Sequence, residues 1–487
     1  MWIVDRVRNM VRSFLQIEEA HSASITIQER FDYSTNAAKN RIWYRGDAYE
    51  LAQLYKQIDG VKDSFWAAVP TKGMDIRKIH VGVPALTVDV LSSIVVADMY
   101  DVKLPESFTE KWNQITKQND IKDIIKKAVS EVLIVGDGAF RLSYDPEISP
   151  EPIIEFIAGD DVEYEMKRGR ITEVIFKTQY SDGIKSYVLQ EHYGYGYVRY
   201  ELTHNDRPVS LDSIPETKGL EDATFDESVM LAVPLMFYHS SVFKGRGQSI
   251  FDSKTDSYDA LDEAWSQWIH ALRGARPQKF LPPNFVPKDP FTGLDLLPNP
   301  FDNTFVQSTG GMSETGPTQR PELVQPEIPH ESYLATYITA LDLALQGAIS
   351  PSTLGIDTKK LDNAEAQREK EKTTLYTRNR IVTDLQEVLP KLITAVLQLK
   401  EWEETRQIPN IDTDDIEIPF GEYANPSFES QVETVGKGHS AGIMSYEASV
   451  DELYGDTKTE EWKAEEVSRL KAQSGVETMP EPVFSEV

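Results

Sequence analysis

The sequence predicts an α+β chain that is mainly helical, and three observations carry that expectation. Apolar residues recur at helical steps in several long stretches, above all across residues 256–272 and 363–405. Between about Leu133 and Tyr238 the pattern changes to short alternating runs punctuated by glycine, as in β-hairpins. Proline then crowds the segment between Gly274 and His330, where neither long helices nor central strands can continue.

A chain of 487 residues with 40% hydrophobic content can bury a substantial core in two or more structural units. It has no cysteine, which excludes disulfides, thiolate nucleophiles and cysteine-bound zinc. Its eight histidines are scattered and form no HExxH pair. No stretch of about 18 apolar residues occurs, so no membrane span or membrane partner is expected. The opening "MWIVDRVRNMVRSFLQI" reads as a short amphipathic helix rather than a signal peptide. The net charge of −29 disfavours tight, general DNA binding, because neutralising phosphates takes basic residues. Loose, low-friction contact with DNA stays open.

Asp47 is placed to cap a helix through "AYELAQLYKQ", with Glu50 completing a capping box. From His80 to Met99, Leu86, Val90 and Ile94 fall four apart, favouring a helix. "LIVGDGAFRLSYD" reads as a hairpin about Gly136-Asp137-Gly138, and further hairpins are expected about Arg168-Gly169 and about Gly194 and Gly196. Asp160, Asp161, Glu163 and Glu165 fit a turn and the exposed face of a strand better than a metal site. Tyr193, Tyr195, Tyr197 and Tyr200 fit packing on a β-ribbon better than base stacking, with three of them expected on one face.

Gly245-Arg246-Gly247 resembles a phosphate-binding loop only superficially. Gln248 and Ser249 follow where a P-loop needs lysine and a hydroxyl, and Ile250 stands where a dinucleotide fingerprint needs glycine. The glycines read instead as a hinge before the next helix. In that helix Tyr258, Leu261, Trp265, Trp268 and Leu272 form one apolar stripe, while Asp259, Asp262, Glu263, Ser266 and His270 lie off it. The proline-rich segment that follows keeps Phe280, Phe285, Phe291, Phe301 and Phe305, too apolar for an inert linker. It reads as a compact loop-and-strand module, or one that orders against a partner. A returning helix carries Leu334, Ile338, Leu341 and Leu345 and almost no charge, so a crowded, buried setting is expected. Beyond a loop bearing Lys359 and Lys360, a helix of some 40 residues contains Pro390, where a kink is expected. A strand "DIEIPF", two short helices and a charged final helix complete the chain.

No catalytic triad, nucleophile elbow, metal cluster or nucleotide fingerprint emerges, so no enzyme activity, cofactor or metal is expected. The order of elements, with "WYRGDAYELAQLY", "LIVGDGAFRLSYD", "GRGQSIFDSKTDSYDALDEAWSQW", "ISPSTLGIDTKKLDNAEAQREKEK" and "AGIMSYEASVDEL", resembles the portal proteins of tailed bacteriophages, in particular those of long-tailed phages of Gram-positive hosts.

That resemblance implies a portal fold of wing, stem, clip and crown, repeated in a cyclic ring. Residues 1–250 would be the wing, 251–273 the first stem helix, 274–329 the clip and 330–348 the second stem helix. Residues 349–362 would be the tunnel loop, 363–405 the kinked long wing helix, and 406–487 the crown region and tail. It further implies a homo-oligomer of twelve subunits at one capsid vertex of the virion, assembled in the host cytoplasm. Duplex DNA would be packaged and ejected through its channel. Terminase, major capsid and scaffolding proteins and a head-completion adaptor would be its partners. Lys359 and Lys360 would face DNA, the clip phenylalanines would dock partners, and the two stem stripes would pack subunits. Two rivals are weighed against it. A packaging ATPase would need a GK[ST] lysine, which the chain lacks; a non-viral helical scaffold with a proline-rich docking module would form no pore.

Overall fold

The computed structural model describes residues 29–58, 63–69, 76–276, 278–281, 285–296, 305–307, 322–356, 364–421, 428–454 and 460–473. The chain divides into two compact units, Met1–Phe420 and Gly421–Val487. The expected N-terminal helix, and Lys359, Lys360 and Phe301, lie outside the described residues.

The first unit opens with helices α1 (Tyr33–Arg45) and α2 (Ala48–Gln57). Asp47 caps α2 as its position suggests, accepting from the Tyr49 and Glu50 amides. The second arm of the capping box does not form, because Glu50 pairs with Arg45 at 2.9 Å. Helix α3 (Val83–Ala97) turns Val83, Val88, Leu91 and Val95 inward, not the stripe of Leu86, Val90 and Ile94. The helix is apolar almost all round, so periodicity alone cannot select its buried face.

Helices α4 (Glu106–Asn119) and α5 (Ile121–Val135) follow. The expected hairpin about Gly136 is not present: the first apolar run is the last turn of α5. Gly136, at φ 119°, ends that helix and donates its amide to the Val132 carbonyl. The run Ile121, Ile125, Ala128, Val129 and Val132 has helical spacing, and it extends further upstream than the hairpin reading considered.

Strand β1 (Asp137–Ser143) is the centre of a three-stranded antiparallel sheet, between β2 (Ile153–Ala158) and β9 (Ala232–Met236). A second, antiparallel sheet runs β3 (Val162–Lys167), β4 (Arg170–Ser181), β5 (Ser186–Gly194), β6 (Tyr197–His204) and β7 (Arg207–Val209), with β8 (Ala223–Thr224) also paired to β6. The hairpin turns at Arg168-Gly169 and at Gly196 stand where expected, with Arg168, Gly169 and Gly196 at positive φ. The tyrosines divide differently from the expectation. Tyr193 and Tyr200 share a face, since Tyr193 faces Val198 and Glu191 faces Tyr200 across the strands; Tyr197 lies on the other face and Tyr195 in the turn.

The next helix is α6 (Thr255–Gly274). Strands β10 (Gln278–Leu281), β11 (Phe305–Gln307) and β12 (Glu322–Val324) form a small sheet with β10 central, parallel to β11 and antiparallel to β12. Helix α7 (His330–Leu345) returns, and α8 (Ala364–Thr405) passes through the core of the unit, burying Ile381, Leu385, Leu389, Leu392 and Val396. Pro390 is buried within it and the helix continues on both sides. The expected strand "DIEIPF" is reduced to isolated bridges, Glu417 with Lys103 and Phe420 with Met99.

The second unit contains α9 (Phe428–Ser440), α10 (Tyr446–Tyr454) and α11 (Glu460–Gln473). His439 lies 4.2 Å from the Tyr446 ring, Tyr454 meets Trp462 edge-on at 4.9 Å, and Lys463 pairs with Asp451 at 2.8 Å.

Candidate functional site

The candidate site is the hairpin of α6 and α7 with the proline-rich module between them. It is built from its root upward. The root is fixed by Arg246, the residue between the two glycines. Its guanidinium donates to both carboxylate oxygens of Asp137, at 3.0 and 2.7 Å, and to the Val162 and Gly159 carbonyls. It lies 3.6 Å from the centre of the Tyr33 ring. Asp137 has no exposed surface and also accepts from the Gly247 amide. Burial alone would lower the Arg246 pKa, but the hydrogen bonds and charge of Asp137 outweigh it and raise it. Burial, followed by the charge of Asp137, raises the Tyr33 pKa. A Cβ on Gly247 would stand 2.1 Å from the Gly136 carbonyl oxygen, so the two backbones touch. The Gly-Arg-Gly stretch is therefore neither a phosphate loop nor a hinge. Its arginine holds strands β1 and β3 to the segment that leads into α6.

Above the root, α6 presents a second, polar face that its apolar stripe concealed. Asp259 accepts from the Phe65 and Trp66 amides at 2.8 and 3.1 Å. Asp262 accepts from the Val81 amide at 2.9 Å and the Trp66 indole at 3.1 Å, and its carboxylate lies 2.7 Å from His80 Nδ1. Ser266 Oγ accepts from the Ile79 amide at 2.9 Å. These three side chains, spaced three and four apart, hold residues 65–66 and 79–81 against the helix as a strap. Lys78 closes the strap on itself by donating to the Phe65, Trp66 and Ala68 carbonyls. Asp259, Asp262 and Ser266, expected simply off the apolar stripe, are all buried. Burial raises the Asp259 pKa, and the two strap amides partly oppose that shift.

The stripe residues divide along the hairpin. Tyr258, Leu261, Leu341 and Leu345 lie in the core of this one chain. Lys254 fastens the base of α7 by donating to the Leu343 and Gln346 carbonyls at 3.2 and 2.6 Å. Higher up, Trp265 contacts Tyr337 at 5.4 Å, and Trp268 stacks on Tyr333 with ring centres 6.3 Å apart. Beyond these rings the packing stops. Leu272 is 48% exposed, Leu334 46% and Ile338 43%. The buried setting expected for α7 is thus found only in its last turns, because within one chain α6 covers a single side of it.

The proline-rich module continues the bare surface. Phe280 is half-buried, whereas Phe285, Phe291, Leu294 and Leu323 are exposed, Phe291 almost completely. Val286 is buried, and Phe305 lies on β11. Among the described residues no group of three or more His, Asp or Glu is arranged to hold a metal ion. No helix of the described residues is long and apolar enough to cross a membrane.

No family model matches the sequence, and no curated protein matches it. Among solved structures the chain is similar to one described as the neck of an empty gene transfer agent (GTA) particle computed with C6 symmetry. The identity is 13% and the TM-score 0.41, over 82% of this chain and 93% of that one. It is similar also to one described as the neck of a native GTA particle computed with C12 symmetry, at 14% identity and TM-score 0.38, over 77% and 89% of the two chains. A third, described as the virion of a native GTA particle, is 13% identical with TM-score 0.38, over 74% of this chain and 87% of that one.

Proposed function

We propose that this chain is the subunit of a closed ring at one vertex of a phage-type capsid, a portal through which duplex DNA enters during packaging and leaves on ejection. The observation that carries the reading is the hairpin. Its base is packed within one chain, while Leu272, Leu334 and Ile338 at and above its middle are left bare, the last two on a helix with little charge. Heterologous contacts between identical neighbours, closing into a ring, would cover such faces. The copy number of twelve and the Gram-positive host type come from the sequence resemblance alone.

The net charge of −29 suits a passage along which DNA slides, since each salt-labile phosphate contact would add drag. Lys359 and Lys360 are assigned to the loop that faces DNA. The role is mechanical, with no catalytic step. The exposed phenylalanines of the proline-rich module would dock the terminase during packaging and a head-completion adaptor afterwards, while capsid and scaffolding proteins surround the ring. The test is Phe291→Asp: because Phe291 is exposed, folding and ring formation should persist while capture of the terminase or adaptor falls. Unchanged capture would remove the docking role from this module.

A further inference from the structure

A cavity of about 220 Å3 lies between the two sheets and the last turns of α8. The residues that line it include Tyr144, Tyr193, Tyr200, Phe225, Trp402 and Glu403. Among the described residues that line it, Glu403 is the only charged one.

The three tyrosine hydroxyls have no hydrogen-bond partner among the described residues, although Tyr193 is only 3% exposed. The half-buried Tyr164 and Tyr33 do have one: Tyr164 donates to the Gly138 carbonyl and Tyr33 to that of Val135. An unpartnered hydroxyl sealed from water costs roughly 1–3 kcal/mol. The Tyr193 hydroxyl is not sealed, and the cavity it lines is where water or a ligand can meet it. Burial raises the pKa of both Tyr193 and Tyr200, so these hydroxyls stay neutral and able to donate or accept. Glu403 pairs with Arg406 at 3.4 Å; that arginine is 64% exposed and also lies 5.8 Å from the centre of the Trp402 ring.

We infer that this cavity is a binding site for a small organic cation, an ammonium group carried on an apolar or aromatic body. The electron-rich ring faces and a single carboxylate attract positive charge, and the apolar wall takes the body of the ligand. The volume suits a molecule of about ten non-hydrogen atoms. Nothing in this assignment depends on whether the chain forms a ring.

Calorimetric titration of the full-length protein with 2-phenylethylamine, and with its neutral counterpart 2-phenylethanol, tests it. The amine should bind saturably and about tenfold more tightly than the alcohol, the ratio a cation in an aromatic site commands. Glu403→Gln should remove most of that preference while leaving the alcohol unaffected. Tyr193→Phe, which keeps the ring and deletes the hydroxyl, should weaken both probes. Absence of saturable amine binding, equal binding of the two probes, or an undiminished preference in Glu403→Gln would each overturn the assignment.

Discussion

The two ends of α6 are built on opposite terms. At its base the buried charges are partnered inside one chain: Arg246 on Asp137, the strap amides on Asp259 and Asp262, Lys254 on the end of α7. At its far end the aromatic contacts of Trp265 and Trp268 give way to exposed Leu272, and α7 opposite shows Leu334 and Ile338 to solvent. A buried charge is tolerable only with its partners in place, so the base is specified by the chain itself. An apolar face tolerates any apolar cover, so the far end leaves room for a second molecule. One helix thus joins a self-sufficient body to an unfinished surface.

Substitutions should separate the two ends, beginning with the root. Arg246→Ala leaves the fully buried Asp137 carboxylate without its counter-charge and should cost about 3–5 kcal/mol in denaturant unfolding. A loss below about 1 kcal/mol would show that the root is not an anchor. Asp262→Ala strips acceptors from the Val81 amide and the Trp66 indole and should cost roughly 2–3 kcal/mol. Amide exchange in that variant should rise at residues 65–66 and 79–81 before it rises in the sheets.

At the far end the expectation reverses. Leu334→Asp with Ile338→Asp should change the stability of the isolated chain by no more than about 0.5 kcal/mol per site, because both are exposed. The same pair should abolish ring formation as read by light scattering. The smallest effect concerns pH. Because burial raises the Asp259 pKa above 3.8, the fold holds this proton more tightly than the unfolded chain does. Its contribution to stability is full below 3.8 and is lost as pH rises through the raised value. The stability advantage of the wild type over Asp259→Asn should therefore narrow with rising pH; an advantage that widens would place Asp259 in a different setting.

Local patterns were readable from sequence where neighbours in the chain determine the outcome. The Asp47 cap, the turns at Gly169 and Gly196, and the existence of both hairpin helices belong to this group. The root and the strap were not readable. His80 and Asp262 are 182 residues apart, and Arg246 and Asp137 are 109 apart. A carboxylate off an apolar stripe has the same local signature whether it meets water or a backbone amide. The end of α5 was missed for another reason. "LIVGDG" is equally consistent with a strand turning at glycine and a helix ending there, and only the spacing further upstream distinguishes them. For the candidate site the helical spacing of the stripe was readable, but not where along it the chain's own packing would stop.

The most direct test of the ring is the particle itself. Negative-stain imaging of the purified chain, with class averages viewed down the particle axis, should show a closed ring of about a dozen subunits around an open centre. A uniform, poreless particle of one or two chains, unchanged by concentration and by addition of the capsid and scaffolding proteins, would contradict it.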